Sequence, residues 1–325
     1  MKIIVHIFIL LLVSSQLFGS FELVTLYKEN GLQVIEHKLN QELASKNFWD
    51  EYLKNVDTSN GYYDSIEYTL VCQSDMKKIH IYKNNKKEQV KIFESDIMTG
   101  KNNGAKLSKG DLKTPLGAYD LINKLTTLDS FYGPLALVTS YPNNFDKING
   151  RTGDGIWIHG LPTNGERDSS TKGCIALDNA NLELLDKSIN YSNAVLIIEN
   201  NITDANISNK SDMAHLLANF YSWKNAWEKS DFETYISFYS QNFKKTDGSD
   251  IKSFISYKKS LFDRKEKKQI TFKDINIIPY PNEENKNMYK IKYYQIYSTK
   301  NYNFAGKKEL YVELIDDKIS ILYEG

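Results

Sequence analysis

Leu32, Ile35, Leu39, Leu43 and Phe48 recur at near-helical spacing with charged residues between them. Trp49, Tyr52 and Leu53 carry the same apolar face onward, so residues 20–65 predict a small helical leading unit. Asp57-Thr-Ser-Asn-Gly61 supplies the turn formers that end it. An amphipathic helix this early needs a surface to cover, either the next domain or a second copy of the chain.

The period then shortens. Lys78–Tyr82 and Gln89–Phe93 alternate apolar and polar residues at period two across a hairpin-like turn at Lys83–Lys86. Ile66, Tyr68, Leu70 and Cys72 share one face of a further strand, and Ala118–Ile122, Gly155–His159 and Ala194–Ile198 read as three more. A short helix through Leu182, Leu185 and Ile189 starts at a cap at Asp178 or Asn179. Residues 66–200 therefore predict a mostly-β domain, and the polar run 201–210 a linker. From 211 to 325 helices come first: Met213 to about Glu228, with Leu216, Leu217, Phe220, Trp223 and Trp227 on its apolar face, then Phe232–Tyr239 and Ile251–Phe262. Strands Ile270–Ile278, Met288–Ser298, Lys307–Leu314 and Lys318–Tyr323 follow, an α+β layout.

The first nineteen residues stand apart. Lys2, the apolar run Ile3–Leu12 and Leu17-Phe18-Gly19 have the form of an export signal cut after Gly19. The run is short for a membrane span of about 20 residues. The mature chain is thus expected outside the cytoplasm, in the periplasm. Lys plus Arg and Asp plus Glu number 41 each, and a chain with no net charge is a poor nucleic-acid binder.

Export bears on the two cysteines, Cys72 and Cys174, which an oxidising compartment could join. Cys72 fits a buried strand face better. Cys174 lies in Ser170-Thr-Lys-Gly173-Cys174-Ile-Ala-Leu177, downstream of Gly155-Ile-Trp-Ile-His159-Gly160. A thiol attacks carbonyls as a thiolate, and a nearby imidazole lowers its pKa from about 8.5. Cys174 and His159 are therefore the candidate nucleophile and base, with the Gly173 and Cys174 N–H groups as oxyanion donors and the Gly160 carbonyl as orienter of the imidazole. On spacing alone, a buried cysteine beside a surface histidine is an equal alternative. One cysteine and one histidine lack the further ligands that a metal site needs, and no cofactor is implied.

The two segments resemble the signature of the L,D-transpeptidase (YkuD-type) catalytic domain, and Asp111-Leu-Lys-Thr114-Pro115-Leu-Gly117 resembles that family's threonine-proline-x-glycine loop. The resemblance covers about residues 75–199. It implies a Cys–His site acting on peptidoglycan stem peptides, with Cys174 as nucleophile, His159 as base and Gly160 as orienter. Lys172 stands where the family usually has histidine, and Ala176 where it often has arginine for substrate recognition. Arg151 and Arg167, two of only three arginines, are the candidate replacements, with Thr171 and Lys172 as further substrate-binding candidates.

The three-part arrangement is similar to the murein L,D-carboxypeptidases that determine cell shape in helical Gram-negative bacteria. The last part resembles a nuclear transport factor 2-like cone through Phe220-Tyr-Ser-Trp223-Lys-Asn-Ala-Trp227-Glu-Lys-Ser-Asp231. Cones of this kind often enclose a pocket, here expected from Trp227, Tyr235, Tyr239 and Lys307. The resemblance implies an L,D-carboxypeptidase removing the terminal D-alanine of tetrapeptide stems, with an L,D-transpeptidase or a non-catalytic wall-binding scaffold as alternatives, and a homodimer formed through the leading unit.

Overall fold

A computed structural model describes residues 21–164, 168–200 and 209–325. The expected export signal, Arg167 and most of the expected linker lie outside the described residues.

The leading unit is helical, over 21–30 (α1), Leu32–Leu43 (α2) and Lys46–Leu53 (α3). Its partner is mainly the far end of the chain. Trp49 and Leu53 of α3 are buried in the same apolar cluster as the core of the C-terminal domain, and Trp49 stacks on Tyr221 at 5.7 Å. A short strand, Tyr62–Tyr63 (β1), then pairs antiparallel with a C-terminal strand, Gln269–Pro279 (β11). The chain thus enters its last domain before it builds the middle one. In α1 and α2, by contrast, Phe21, Val24, Tyr27 and Leu32 remain well exposed.

The middle domain is an eight-stranded mixed sheet in the order β4-β3-β2-β9-β5-β6-β7-β8. Its strands are Tyr68–Gln73 (β2), Lys78–Asn84 (β3), Gln89–Asp96 (β4), Gly117–Leu125 (β5), Ala136–Thr139 (β6), Trp157–His159 (β7), Ile175–Ala176 (β8) and Ala194–Glu199 (β9). β2 is paired along both edges, with β3 and β9, and buried on both faces, and Cys72 there is fully buried and free, its thiol pKa pushed up by burial. Helix α4 (Asn144–Ile148) opens on a capping box: the Asn143 side chain accepts from the Asp146 N–H, and the Asp146 carboxylate accepts from the Asn143 N–H. Helix α5 (Asn179–Ser188) is capped by Asp178, whose carboxylate accepts from the Asn181 N–H.

The C-terminal domain packs α6 (Lys210–Lys229), α7 (Phe232–Ile236) and α8 (Ile251–Phe262) against a six-stranded sheet, β1-β11-β12-β13-β14-β10. Its further strands are Tyr239–Lys245 (β10), Met288–Ser298 (β12), Asn303–Ile315 (β13) and Lys318–Glu324 (β14). The expected helix over Phe232–Tyr239 ends at Ile236, and Tyr239 instead starts β10, which pairs in parallel with β14. A third apolar cluster lies between the two domains. Ile66, Ala118, Phe145, Val195 and Ile197 from the middle domain meet Ile278, Tyr280, Met288, Tyr311 and Tyr323 from the last. An interface this apolar joins domains firmly rather than as beads on a string.

Candidate active site

β7 and β8 run parallel, with Ile158 opposite Ile175 and His159 opposite Ala176. Cys174 immediately precedes β8, so this pairing brings it alongside the strand that ends in His159. The pairing of β6 with β7, Ala136 against His159, fixes the histidine from the other side.

His159 is fully buried, and its Nδ1 lies 2.7 Å from the Gly160 carbonyl oxygen. A carbonyl can only accept, so Nδ1 carries the N–H and Nε2 is the nitrogen left to exchange a proton. The Tyr132 ring stands edge-on to the imidazole at 5.1 Å, and the Tyr132 carbonyl accepts from the Gly160 N–H. Gly160 admits no side chain: a Cβ there would come within 2.2 Å of Asn179 Oδ1. That same Oδ1 accepts from the Leu161 N–H. Asn179 thus wedges the backbone that orients the histidine, while the capping role falls to Asp178.

Cys174 is half-buried, and its Sγ donates to the Gly155 carbonyl at 3.2 Å. Its turn is tied by Thr171, whose hydroxyl donates to the Cys174 carbonyl at 2.7 Å and accepts from the Gly173 N–H at 3.0 Å. Gly173 sits at φ +132°, and a Cβ there would meet the Lys113 carbonyl at 2.7 Å. A glycine is needed both for the backbone angle and for the closeness of the 101–115 loop. That loop is braced from within by Asp111. Burial alone would raise its carboxyl, but the buried Lys106 ammonium at 2.6 Å and the N–H groups of Ser108, Leu107 and Lys113 bring it down to about 2.

Several expected substrate contacts land elsewhere. Arg151 is committed to Asp146 at 2.8 Å, and Asp146 is fully buried. Thr171 is buried inside the turn before Cys174, and the Gly173 N–H expected to meet the oxyanion is given to Thr171. Lys172 is exposed beside the turn. Ala176 is fully buried and pairs with Met98 through both its N–H and its carbonyl.

The C-terminal domain does enclose a cavity, of about 760 Å³. Trp227 lines it, together with Lys258, Tyr297, Lys308 and Glu324. Lys258 Nζ lies 4.9 Å from the Trp227 ring centre and 5.1 Å from that of Phe254, and burial lowers its pKa. Tyr235 and Tyr239 stand behind this wall as core residues: their hydroxyls meet at 2.6 Å, and Tyr239 donates to Glu324 at 2.7 Å. Lys307 is not in the wall. It lines a separate cleft of about 400 Å³ between the two domains, and the next residue, Lys308, takes the place expected for it.

Residues 67–197 match the L,D-transpeptidase catalytic domain, residues 215–325 the Cds6 C-terminal NTF2-like domain, and residues 19–54 the cell-shape determining Csd6 N-terminal dimerization domain. The chain is similar to the helical cell shape determining protein Pgp2 from Campylobacter jejuni: 42% identity over 87% of this chain and 99% of that one, with a TM-score of 0.81. A point variant of Pgp2 superposes with a TM-score of 0.83, again at 42% identity, over 88% of this chain and 99% of that one. Bd1075 from Bdellovibrio bacteriovorus is 28% identical, with a TM-score of 0.67, over 83% of this chain and 97% of that one. No curated protein sequence matches the chain.

Proposed function

This chain belongs to the Csd6/Pgp2 family of cell-shape-determining proteins with an L,D-transpeptidase catalytic domain, and from that premise we propose that it is a cysteine-dependent peptidoglycan L,D-carboxypeptidase. The observation that supports the reading is the parallel pairing of β8, which Cys174 immediately precedes, with β7, which ends in His159, together with His159 Nδ1 held 2.7 Å from the Gly160 carbonyl.

The Gly160 carbonyl fixes Nδ1 as the proton-bearing nitrogen, so Nε2 takes the proton of the Cys174 thiol. The thiolate attacks the carbonyl between the L-centre of diaminopimelate and the terminal D-alanine. Backbone N–H groups of the turn meet the oxyanion, Gly173 contributing when it exchanges its bond to Thr171. The amide C–N bond breaks, the imidazolium protonates the leaving D-alanine amine, and a thioester on Cys174 remains. Water, deprotonated by His159, hydrolyses the thioester to a tripeptide stem and returns the thiol. Lys172, exposed beside the turn, is the cation we assign to the stem's carboxylates; Ala176, where the family often has arginine, is buried and offers none.

Action on a wall polymer calls for export, which suits the apolar segment Ile3–Leu12. The match of residues 19–54 to a dimerization domain and the exposed Phe21, Val24 and Leu32 support a homodimer through the leading helices.

Disaccharide-tetrapeptide muropeptides incubated with residues 20–325 test the reading. Loss of one alanine, with tripeptide accumulating, is expected. Dimers joined between two diaminopimelates would make the enzyme a transpeptidase instead, and unchanged substrate with an unaltered Cys174→Ala cellular phenotype would make it a scaffold.

A further inference from the structure

The connection between β11 and β12, residues 280–287, meets the middle domain through Glu283 and Tyr280. Asn282 stiffens it internally: its side-chain N–H groups donate to the Tyr280 and Lys286 carbonyls at 3.2 and 2.9 Å, and its Oδ1 accepts from the Lys286 N–H at 3.0 Å.

Glu283 Oε1 accepts from the Ala105 N–H at 2.8 Å. Ala105 is buried at the start of the loop that carries Lys106 and Asp111. That stretch is joined directly to the nucleophile turn: the Lys101 N–H donates to the Thr171 carbonyl at 3.1 Å, and the Thr171 N–H to the Thr99 carbonyl at 2.8 Å. Thr171 is the residue whose hydroxyl ties Gly173 and Cys174.

Tyr280 packs edge-on to Phe145 at 5.7 Å and makes further contacts beyond it. Its ring stands where a side chain at Gly117, the last residue of the threonine-proline-x-glycine loop, would come within 2.8 Å of Cζ. Its hydroxyl accepts from Asn143 Nδ2 at 3.2 Å and donates to Asp146 Oδ1 at 3.3 Å. Asp146 in turn holds Arg151 at 2.8 Å, at the start of the segment that ends in Gly155, the carbonyl that accepts from Cys174 Sγ. The Tyr280 phenol thus braces the sulfur's partner, and the Glu283 carboxylate the turn that carries the sulfur.

We propose that the β11–β12 connection of the C-terminal domain is a positioning element of the catalytic site, with Glu283 and Tyr280 aligning Cys174 through the 101–106 loop and the Asp146–Arg151 pair. The cone is then part of the enzyme as well as a neighbour with its own cavity. Such positioning is worth much in a reaction that needs atoms in near-attack geometry, where small displacements cost rate. Neither residue touches the reacting atoms.

The inference rests on Cys174 being the nucleophile but not on the substrate, so the test uses a substrate-independent probe. The rate of Cys174 alkylation by iodoacetamide is measured against pH, site by site by peptide mass, in the full chain. Glu283→Ala is expected to slow alkylation about fivefold, the size of one lost hydrogen bond, and Glu283→Gln, which keeps the acceptor, to restore it. Tyr280→Phe keeps the ring against Gly117 and is expected to slow it by a similar factor, the double variant more than either. On tetrapeptide muropeptide, kcat falls with KM unchanged within about twofold. Alkylation and kcat at wild-type values in Glu283→Ala, whatever happens to its melting temperature, would overturn the proposal. Altered alkylation with no turnover by any variant, the wild type included, would leave it standing and sink the substrate assignment.

Discussion

The Cys174–His159 segments and the C-terminal cavity are built in opposite ways. The proposed catalytic groups come from two adjacent segments, 155–160 and 170–177, joined by a parallel strand pair. The cavity draws Trp227 from α6, Lys258 from α8, Tyr297 from β12, Lys308 from β13 and Glu324 from β14. At the first site backbone carbonyls and glycines do the positioning; at the second, side chains packed from across the domain do. Substitutions at the first should therefore cost chemistry with little stability, and substitutions behind the second should cost stability with little chemistry.

The largest expected effect is at the sulfur. Cys174→Ala should abolish turnover, a loss of at least about 10⁴-fold, with an unchanged circular dichroism spectrum and melting temperature. His159→Ala should come close to it in kcat. A folded, active Cys174→Ala would erase the distinction between the two sites at once.

Next is the glycine that holds the base. Gly160→Ala drives a Cβ to within 2.2 Å of Asn179 Oδ1 and must move the carbonyl that orients His159. A loss of about 100-fold in kcat is expected, the scale of a small misplacement of a catalytic group. Steady-state kinetics on tetrapeptide muropeptides would show it, and an unimpaired enzyme would mean the carbonyl does not set the imidazole.

Behind the cavity, Tyr235→Phe removes one hydroxyl from a buried pair 2.6 Å apart. Denaturant titration should register a loss of about 1 kcal/mol, with kcat on muropeptide unchanged. A drop in kcat larger than the drop in stability would mean that the cone core reaches the active site directly.

The smallest effect is acid sensitivity of the 101–115 loop. Asp111 is held at about 2 against an ordinary 3.8, so its folded pKa is depressed. Its contribution to stability is present above the unfolded value of 3.8 and is lost as pH falls through about 2. Amide exchange in residues 101–115 should rise across that window in the wild type and show no such rise in Asp111→Asn.

The contrast also explains what was legible in the sequence. Period-two runs and glycine punctuation outlined the β domain, and the helix Ile251–Phe262 and strand Met288–Ser298 have the ends expected of them. The helix expected over Phe232–Tyr239 stops at Ile236, and in the fold Tyr239 pairs with Ile321 on β14. Such a pairing is set by tertiary contact and leaves no local trace. Cys174, His159 and Gly160 stand out in the sequence as candidates because the segments that hold them are short and contiguous. The commitment of Arg151 to Asp146, only five residues away, was not legible, because nothing in the residue pattern marks the bend after α4 that brings the two together. Both Lys307 and Lys308 line the cleft between the domains, and only Lys308 also reaches the cavity, a difference that alternation alone cannot give. Nor could it show that α3 and β1 belong with the C-terminal domain, because that partner is encoded at the other end of the chain.

The central claim is a thioester on Cys174 formed at the expense of a terminal D-alanine. Acid-quenching the enzyme within its first turnovers of disaccharide-tetrapeptide, then weighing the protein and its Cys174 peptide, tests that claim most directly. The account predicts an adduct on Cys174 equal in mass to the muropeptide less D-alanine, absent from Cys174→Ala. Release of D-alanine by Cys174→Ala at the wild-type rate, with no adduct on either protein, would contradict it.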